Sequence, residues 1–336
     1  MNGGGSNSVA AVIVTHNRVD SLRECLDAVL EQTRPAEAVY IVDNASTDGT
    51  QEYLVKAGII DEPLHAVGAP EERVRLLQPS RRRKGTVEVH YVRMHKNAGG
   101  AGGFHEGVKR SHAAGFGWMW LMDDDGVPRE DQLAELLDKA VRNGLLITGP
   151  IVIDKDDERI LAFRHGDAGN PENRVDTLRS YAVDGVIYNC MFPFNGTLIS
   201  REVVDRIGNI KREMFIWGDE KEYVLRAEHN NVKMGTVASA FHRHPARVAN
   251  RAKVLFGLLG RVSVRTDPKA HIYYRNLGFQ HGRYHDVGKR LKTMTKYTVY
   301  FLVNAGFDIK GLFEFYRYYL DGASDRFTLP PAREEP

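Results

Sequence analysis

The sequence predicts an α/β protein: a mostly parallel, mixed sheet with helices on both faces, followed by a C-terminal α-helical region. Three observations lead to it. From Val9 to Ile153 short apolar runs alternate with segments of helical period, the pattern of strands joined by crossover helices. Over 154–200 the strand candidates shorten and turns multiply, as when antiparallel strands extend such a sheet. From Arg247 to Lys296 twelve Lys and Arg stand against Asp267 and Asp286, so this stretch carries +10 and the remainder −8 of a total of +2; with the helical look of 288–321, it marks a second unit.

Taken in order, VAAVIV (9–14) reads as a buried strand. Ser21 and Glu24 have the spacing of a capping box for the helix that follows, in which Leu22, Cys25, Leu26, Val29 and Leu30 share one face. AVYIVD (38–43) is a second strand, STDGTQEYLVKAG (46–58) a second helix and VEVHYVRM (87–94) a third strand. Before it, the stretch 67–86 with its PSRRRKG run reads as a mobile surface loop. A glycine-rich turn leads into a helix near 104–114, and GWMWLM (117–122) is a strand that runs into three aspartates. A helix opened by Pro128 turns Leu133, Leu136, Leu137 and Ala140 inward. LLITGPIVI (145–153), ILAF, GVIYNC, TLIS and GTVASAF (235–241) are the remaining strand candidates, with a helix near 221–230.

With 336 residues, 42% hydrophobic, the chain suffices for one large domain with an appendage or for two modest ones. A net charge of +2 excludes a nucleic-acid-coating protein and an acidic disordered chain. Cys25 and Cys190 both sit in apolar surroundings and read as structural thiols of a reducing compartment, which puts the protein on the cytosolic side. Val9 to Val14 is too short and lacks the basic flank of a signal peptide, and the stretch from Gly185 to Ser200 is too short and too polar to span a bilayer.

Chemistry concentrates at strand ends. Asp123, Asp124 and Asp125 follow an apolar strand, where an α/β sheet binds its ligands, and three adjacent carboxylates call for donors or a divalent cation, Mg²⁺ or Mn²⁺. An acidic turn that caps the next helix would need one Asp. His242 and His244 alternate at the end of a strand, and either imidazole completes a carboxylate metal site while tilting it toward Mn²⁺. Trp217-Gly218-Asp219-Glu220 opens a helix; its acids suit the helix dipole, or serve as a general base beside an aromatic platform. Asn97 to Phe104 holds four glycines that let backbone amides approach a phosphate or a sugar. That segment follows the third strand and does not match the dinucleotide fingerprint, which disfavours an NAD or FAD enzyme. Asp43-Asn44, at the end of the second strand, suits either a turn or a base or ribose contact.

VIVTHNR, VDNASTDGT, NAGGAGG, WLMDDDG and the FIWGDE…LRA…HRHP ending together resemble a family 2 glycosyltransferase with the GT-A nucleotide-sugar-binding fold, over roughly Val9 to Pro245. With FNGTL and YRNLG (274–278) added, the chain is most similar to bacterial galactofuranosyltransferases that begin a galactan on a lipid-linked acceptor. The resemblance implies a metal-dependent, inverting transfer of galactofuranose from UDP-galactofuranose to a glycan on polyprenyl diphosphate, in cell-envelope polysaccharide synthesis. It places Asp43 on the base, Thr15 and Arg18 beside the nucleotide, and Asn97, Gly99 and Gly100 along the donor crevice. It puts Asp123 and Asp124 at the donor, Asp125 and Asp123 at Mn²⁺ or Mg²⁺, His244 as the metal-binding histidine with His242 in reserve, and Trp217 and Asn195 at the acceptor. The family's base position falls on Glu220 by spacing, whereas its usual identity, Asp, stands at Asp219, so both are carried.

The implied organisation is a leader at 1–8 and a catalytic domain at 9–246, with a nucleotide-binding half to about 125 and an acceptor half beyond. A basic helical region at 247–327 and a tail at 328–336 follow. Lys289, Arg290, Lys292 and Lys296 among Leu291, Met294, Tyr297, Tyr300, Phe301 and Leu302 suit an anionic membrane surface, so the expected place is the inner face of the cell membrane. The same apolar residues serve equally for packing or for a homo-oligomer. No nucleic-acid partner is expected. Three other readings stand beside this one: a rhamnosyltransferase or another hexosyltransferase using a dTDP- or UDP-sugar; a haloacid dehalogenase-like phosphatase with Asp123 as nucleophile; and a non-catalytic sugar-binding protein.

Overall fold

The computed structural model describes residues 7–77, 86–163, 172–246, 251–264 and 269–327. The expected leader, apart from Asn7 and Ser8, the PSRRRKG run and the tail lie outside them. Contacts divide the chain into two units, one of residues up to Arg212 with Asn230–Arg247, the other of Glu213–His229 with the chain from Val248 onward. Glu213–His229 thus packs with the chain from Val248 onward.

The first unit is built on strands β1 (Val9–Thr15), β2 (Ala38–Asp43), β3 (Glu71–Leu77), β4 (Val87–Arg93), β5 (Trp118–Asp123), β6 (Val127–Pro128), β7 (Ile147–Asp154), β8 (Val186–Tyr188), β9 (Asn195–Ser200) and β10 (Met234–His244). Its helices are α1 (Val19–Leu30), α2 (Thr50–Lys56), α3 (Gly99–Ala113), α4 (Gln132–Asn143), α5 (Val175–Arg179) and α6 (Arg201–Ile207). The sheet runs β3-β4-β2-β1-β5-β9-β7-β10-β6, with β8 paired to β10. Strands β4, β2, β1 and β5 are parallel; β9 is antiparallel to both neighbours within the sheet, and β3, β6 and β8 pair antiparallel with β4, β10 and β10. Every residue of β1 and β2 is buried, as the uninterrupted apolar runs require of strands covered on both faces. The mixed sheet with its helices is the α/β fold expected.

Local expectations fail where a distant partner decides. Within the stretch expected to be a loop, Glu71–Leu77 forms edge strand β3, antiparallel to β4. An edge strand with one neighbour needs no continuous apolar face, and Glu72 holds its place by bonding His90 Nδ1 at 2.9 Å and Arg110. Helix α1 begins at Val19, so Ser21 lies inside it and caps nothing; the Asp48 carboxylate accepts the Val19 N–H at 2.9 Å instead. Pro128 belongs to β6, opposite His242, and α4 starts at Gln132. ILAF makes only isolated bridges, Ile153 to Leu161 and Ile160 to Arg174. The glycines of 99–103 are helical: a Cβ on Gly103 would stand 2.5 Å from Val14, and one on Gly107 2.3 Å from Val12. They let α3 lie against β1 at backbone distance.

The second unit holds helices α7 (Asp219–His229), α8 (Ala270–Tyr284), α9 (Val287–Val299) and α10 (Ile309–Ala323), with a hairpin of β11 (Arg251–Lys253) and β12 (Arg261–Ser263). Tyr274, Tyr297, Phe301, Phe315 and Tyr319 form its core. Tyr297 stacks on Phe315 with centroids 4.3 Å apart, so much of the aromatic content of the C-terminal region is spent on internal packing.

Candidate active site

The parallel register sets Val14 beside Asp123, so the carboxyl ends of β1 and β5 lie side by side and Thr15 meets the aspartate turn. Thr15 Oγ1 donates to Asp124 Oδ2 at 2.7 Å, and Arg18 Nη1 reaches Asp124 Oδ1 at 3.2 Å and Asp125 Oδ2 at 2.7 Å. Asp124 is the inner carboxylate, 3% exposed, and burial pushes its pKa up to about 6 against the bonds from Thr15 and Arg18. Asp123 ends β5 and is half-buried, its carbonyl accepting from Gly126 N at 3.3 Å. Asp124 and Asp125 thus share Arg18, while Thr15 bonds Asp124.

Asp125 also meets β10. His244 Nε2 stands 3.0 Å from Asp125 Oδ1, and His244 Nδ1 donates to the Pro245 carbonyl at 2.7 Å. A carbonyl only accepts, so Nδ1 carries a hydrogen and Nε2 presents its other face to the carboxylate. A neutral imidazole there would oppose two acceptors, which a proton or a cation between them relieves. Asp125 and His244 therefore fit as two ligands of one divalent ion. Among the described residues no three His, Cys, Asp or Glu side chains converge on one point, so the remaining ligands of such an ion would come from water or from a bound diphosphate.

His242 is differently placed. It is fully buried, its Nδ1 donates to Gln132 Oε1 at 3.1 Å, and a Cβ on Gly126 would come within 2.1 Å of its Nε2. Burial pulls its pKa down to about 3, so it is a neutral packing histidine beneath the aspartate turn.

Asp43, at the end of β2, is fully buried and already occupied: it accepts from Tyr91 Oη at 2.6 Å, Arg93 Nη1 at 2.5 Å and Ser46 N at 2.8 Å. Arg93, its register partner on β4, also donates to the Ser46 carbonyl at 2.8 Å and lines a cleft of about 310 Å³ with Ala45, Gln51, His65 and His95. Tyr91 and Arg93 were missed by sequence reasoning. The signal was an arginine at the carboxyl end of an otherwise buried strand.

Asn97 Oδ1 accepts from Gly99 N at 2.8 Å and Asn44 Nδ2 donates to the Gly99 carbonyl at 3.0 Å, which pins the start of α3 to the β2 end. Gly100 faces open space: a Cβ there would meet nothing within 4 Å. Asn195 opens β9 opposite Met122, next to the end of β5, and its amide donates to the Pro193 carbonyl at 3.0 Å. In the second unit, Trp217 (φ +62°) and Gly218 (φ +109°) lead into α7. Glu220 Oε2 accepts from Gly218 N at 2.9 Å, and Asp219 is 5% exposed.

Thr15, Arg18, Asp124, Asp125 and His244 thus gather at strand ends of the mixed sheet, and the glycosyl transferase family 2 model matches residues 10–73 and 75–208. The chain belongs to that family and is a glycosyltransferase. It is 29% identical over 327 residues to galactofuranosyltransferase GlfT1 of Mycobacterium tuberculosis, covering 97% of this chain and 98% of the relative. It is 30% identical over 329 residues to GlfT1 of Mycolicibacterium smegmatis, covering 95% and 97%. The crystal structure of S. aureus TarS 1–349 superposes with a TM-score of 0.52 at 12% identity, over 95% of this chain and 82% of that one, a likeness of fold.

Proposed function

We propose that the protein transfers galactofuranose from UDP-galactofuranose, with inversion, to a hydroxyl of a polyprenyl-diphosphate-linked glycan in cell-envelope polysaccharide synthesis. The observation that carries this reading is the match to the mycobacterial galactofuranosyltransferases, which extends beyond the family 2 core to nearly the whole of both chains. In this reading Thr15, Arg18, Asn97, Gly99, Gly100, Asp123 and Asp124 line the donor crevice. Arg93, held by Asp43, presents its guanidinium at the base end. Asp125 and His244 would hold Mn²⁺ or Mg²⁺, and such an ion would supply charge to neutralise the departing diphosphate. Glu220 or Asp219 takes the proton of the acceptor hydroxyl, whose oxygen attacks the anomeric carbon opposite the leaving UDP. Trp217 and Asn195 are assigned to the acceptor.

Among the described residues no helix is long and apolar enough to cross a membrane. A lipid-linked acceptor calls for work at a bilayer surface. The second unit supports this with Phe256 (96% exposed), Leu258 and Phe307 on its surface and Lys253, Arg261 and Lys296 in the same unit. The test of the function is a donor panel: each nucleotide sugar with Mn²⁺, scored for nucleotide release with and without acceptor. UDP-galactofuranose is expected to turn over faster than UDP-galactopyranose or dTDP-rhamnose; preference for dTDP-rhamnose would replace this reading with a rhamnosyltransferase.

A further inference from the structure

YRNLG has no place in the chemistry above, yet four of its five residues have a defined task in the second unit. Tyr274 enters the core. Gly278 lies where helices α8 and α10 touch: a Cβ on it would fall 1.9 Å from the Tyr319 carbonyl oxygen, and one on Gly322 would fall 1.8 Å from that of Arg275. Contact at backbone distance along this crossing makes α8 a firm support. From it, fully buried Asn276 donates through Nδ2 toward the carbonyls of Met214 (2.8 Å), Ile216 (3.0 Å) and Trp217 (3.0 Å). Arg275 Nη2 donates to the carbonyls of Glu213 at 2.9 Å and Met214 at 3.2 Å, and Gln280 Nε2 donates to that of Gly218 at 2.8 Å.

The segment so held is a strained one. Phe215 and Trp217 sit at φ +64° and +62°, where a side chain with a Cβ is disfavoured, so local preference does not select this conformation and other contacts must. Arg275, 1% exposed, is a cation held by carbonyls and the Asn276 amide oxygen, a costly burial that the loop conformation justifies. The restraint passes on to the acids: Gly218, whose carbonyl Gln280 holds, donates its own N–H to Glu220 Oε2.

We propose that Asn276 and Gln280 are positioning residues for transfer, fixing the strained 214–218 segment so that Trp217 and the acid at 219 or 220 are presented in one conformation. The proposal rests on the assignment of those residues to the acceptor step. It gives the YRNLG helix a part in turnover that packing alone would not.

The test uses the full chain with Gln280→Met, which removes the donor at nearly constant volume, and Asn276→Ala. Hydrogen–deuterium exchange over 213–220 and acrylamide quenching of Trp217 report the loop, since Trp118 and Trp120 are buried in the sheet. UDP calorimetry and UDP-galactofuranose turnover with a polyprenyl-diphosphate glycan report function. Exchange and quenching are expected to rise and kcat to fall about tenfold or more, with UDP affinity and donor KM within about twofold of the parent. A looser loop with unchanged kcat overturns the proposal, as does an unchanged loop. Should Asn276→Ala not fold, Gln280→Met decides alone. Asp219→Asn and Glu220→Gln serve as the separate arm: if both transfer normally, the base assignment fails, while exchange and quenching still report whether α8 holds the loop.

Discussion

His244 Nε2 lies 3.0 Å from Asp125 Oδ1, with Nδ1 of the same ring tied to the Pro245 carbonyl, whereas His242, two residues earlier, is locked beneath Gly126 by Gln132. One strand thus supplies one ligand-like and one packing imidazole. His244→Ala is expected to lose Mn²⁺-dependent UDP binding by at least about tenfold while melting near the parent temperature. His242→Ala is expected to lose about 1–3 kcal/mol of stability, by leaving the Gln132 oxygen buried without its donor, and to keep Mn²⁺-dependent binding. Calorimetry with and without Mn²⁺, beside thermal melting, separates them, and the reverse pattern would exchange the two roles.

Two glycines of α3 should respond in opposite directions. Gly107→Ala places a methyl 2.3 Å from Val12 Cγ1, so urea unfolding should show a loss of about 1–3 kcal/mol despite the better helix propensity. Gly100→Ala meets open space and should gain up to about 1 kcal/mol. If Gly100 lines the donor crevice, the same variant weakens UDP-sugar binding; unchanged affinity would remove it from that role.

Acid should destabilise the second unit through His281. Burial, with His285, Lys289, Lys221 and Arg290 adding repulsion, pulls its pKa from 6.5 down to about 3, and the Tyr319 hydroxyl sits 2.9 Å from Nδ1. The folded value lies below the unfolded one, so the unfolded chain takes up the proton first. The contribution is complete above about pH 6.5 and is lost as pH falls from there toward 3, by up to about 1.4 kcal/mol per pH unit. Urea unfolding of His281→Gln between pH 7 and 5 should therefore show a shallower pH dependence than the parent; identical slopes would assign the acid sensitivity elsewhere.

The hairpin tip should matter for membranes. Phe256 and Leu258 are 96% and 86% exposed, and Asn304 ties the hairpin to the turn before Phe307 by donating to the Lys253 carbonyl at 3.1 Å. The protein is expected to sediment with vesicles containing acidic phospholipid, to be released by salt, and to ignore neutral vesicles. Phe256→Ser with Leu258→Ser should weaken this binding several-fold without lowering stability, because neither residue is packed. Undiminished binding by the double variant would move the surface to another face.

The sequence by itself determined the fold class, the order of the buried strands and the position of the aspartate turn. Each is written in a local run: AVYIV and WMWLM are apolar throughout because both sheet faces are covered, and acids after such a run fall at a strand's carboxyl end. Tertiary structure decided which partner each group takes. The cap of α1 comes from Asp48, the companion of Asp43 is Arg93 on another strand, and the loop before α7 is held from a helix some 60 residues later. It also separated His244 from His242, which period-two spacing makes equivalent. What parted them was the local packing of β10, with β6, Gly126 and Gln132 against one ring and Asp125 against the other. A periodic pattern names the face a side chain takes; a neighbour brought from elsewhere in the chain sets what that side chain can bond.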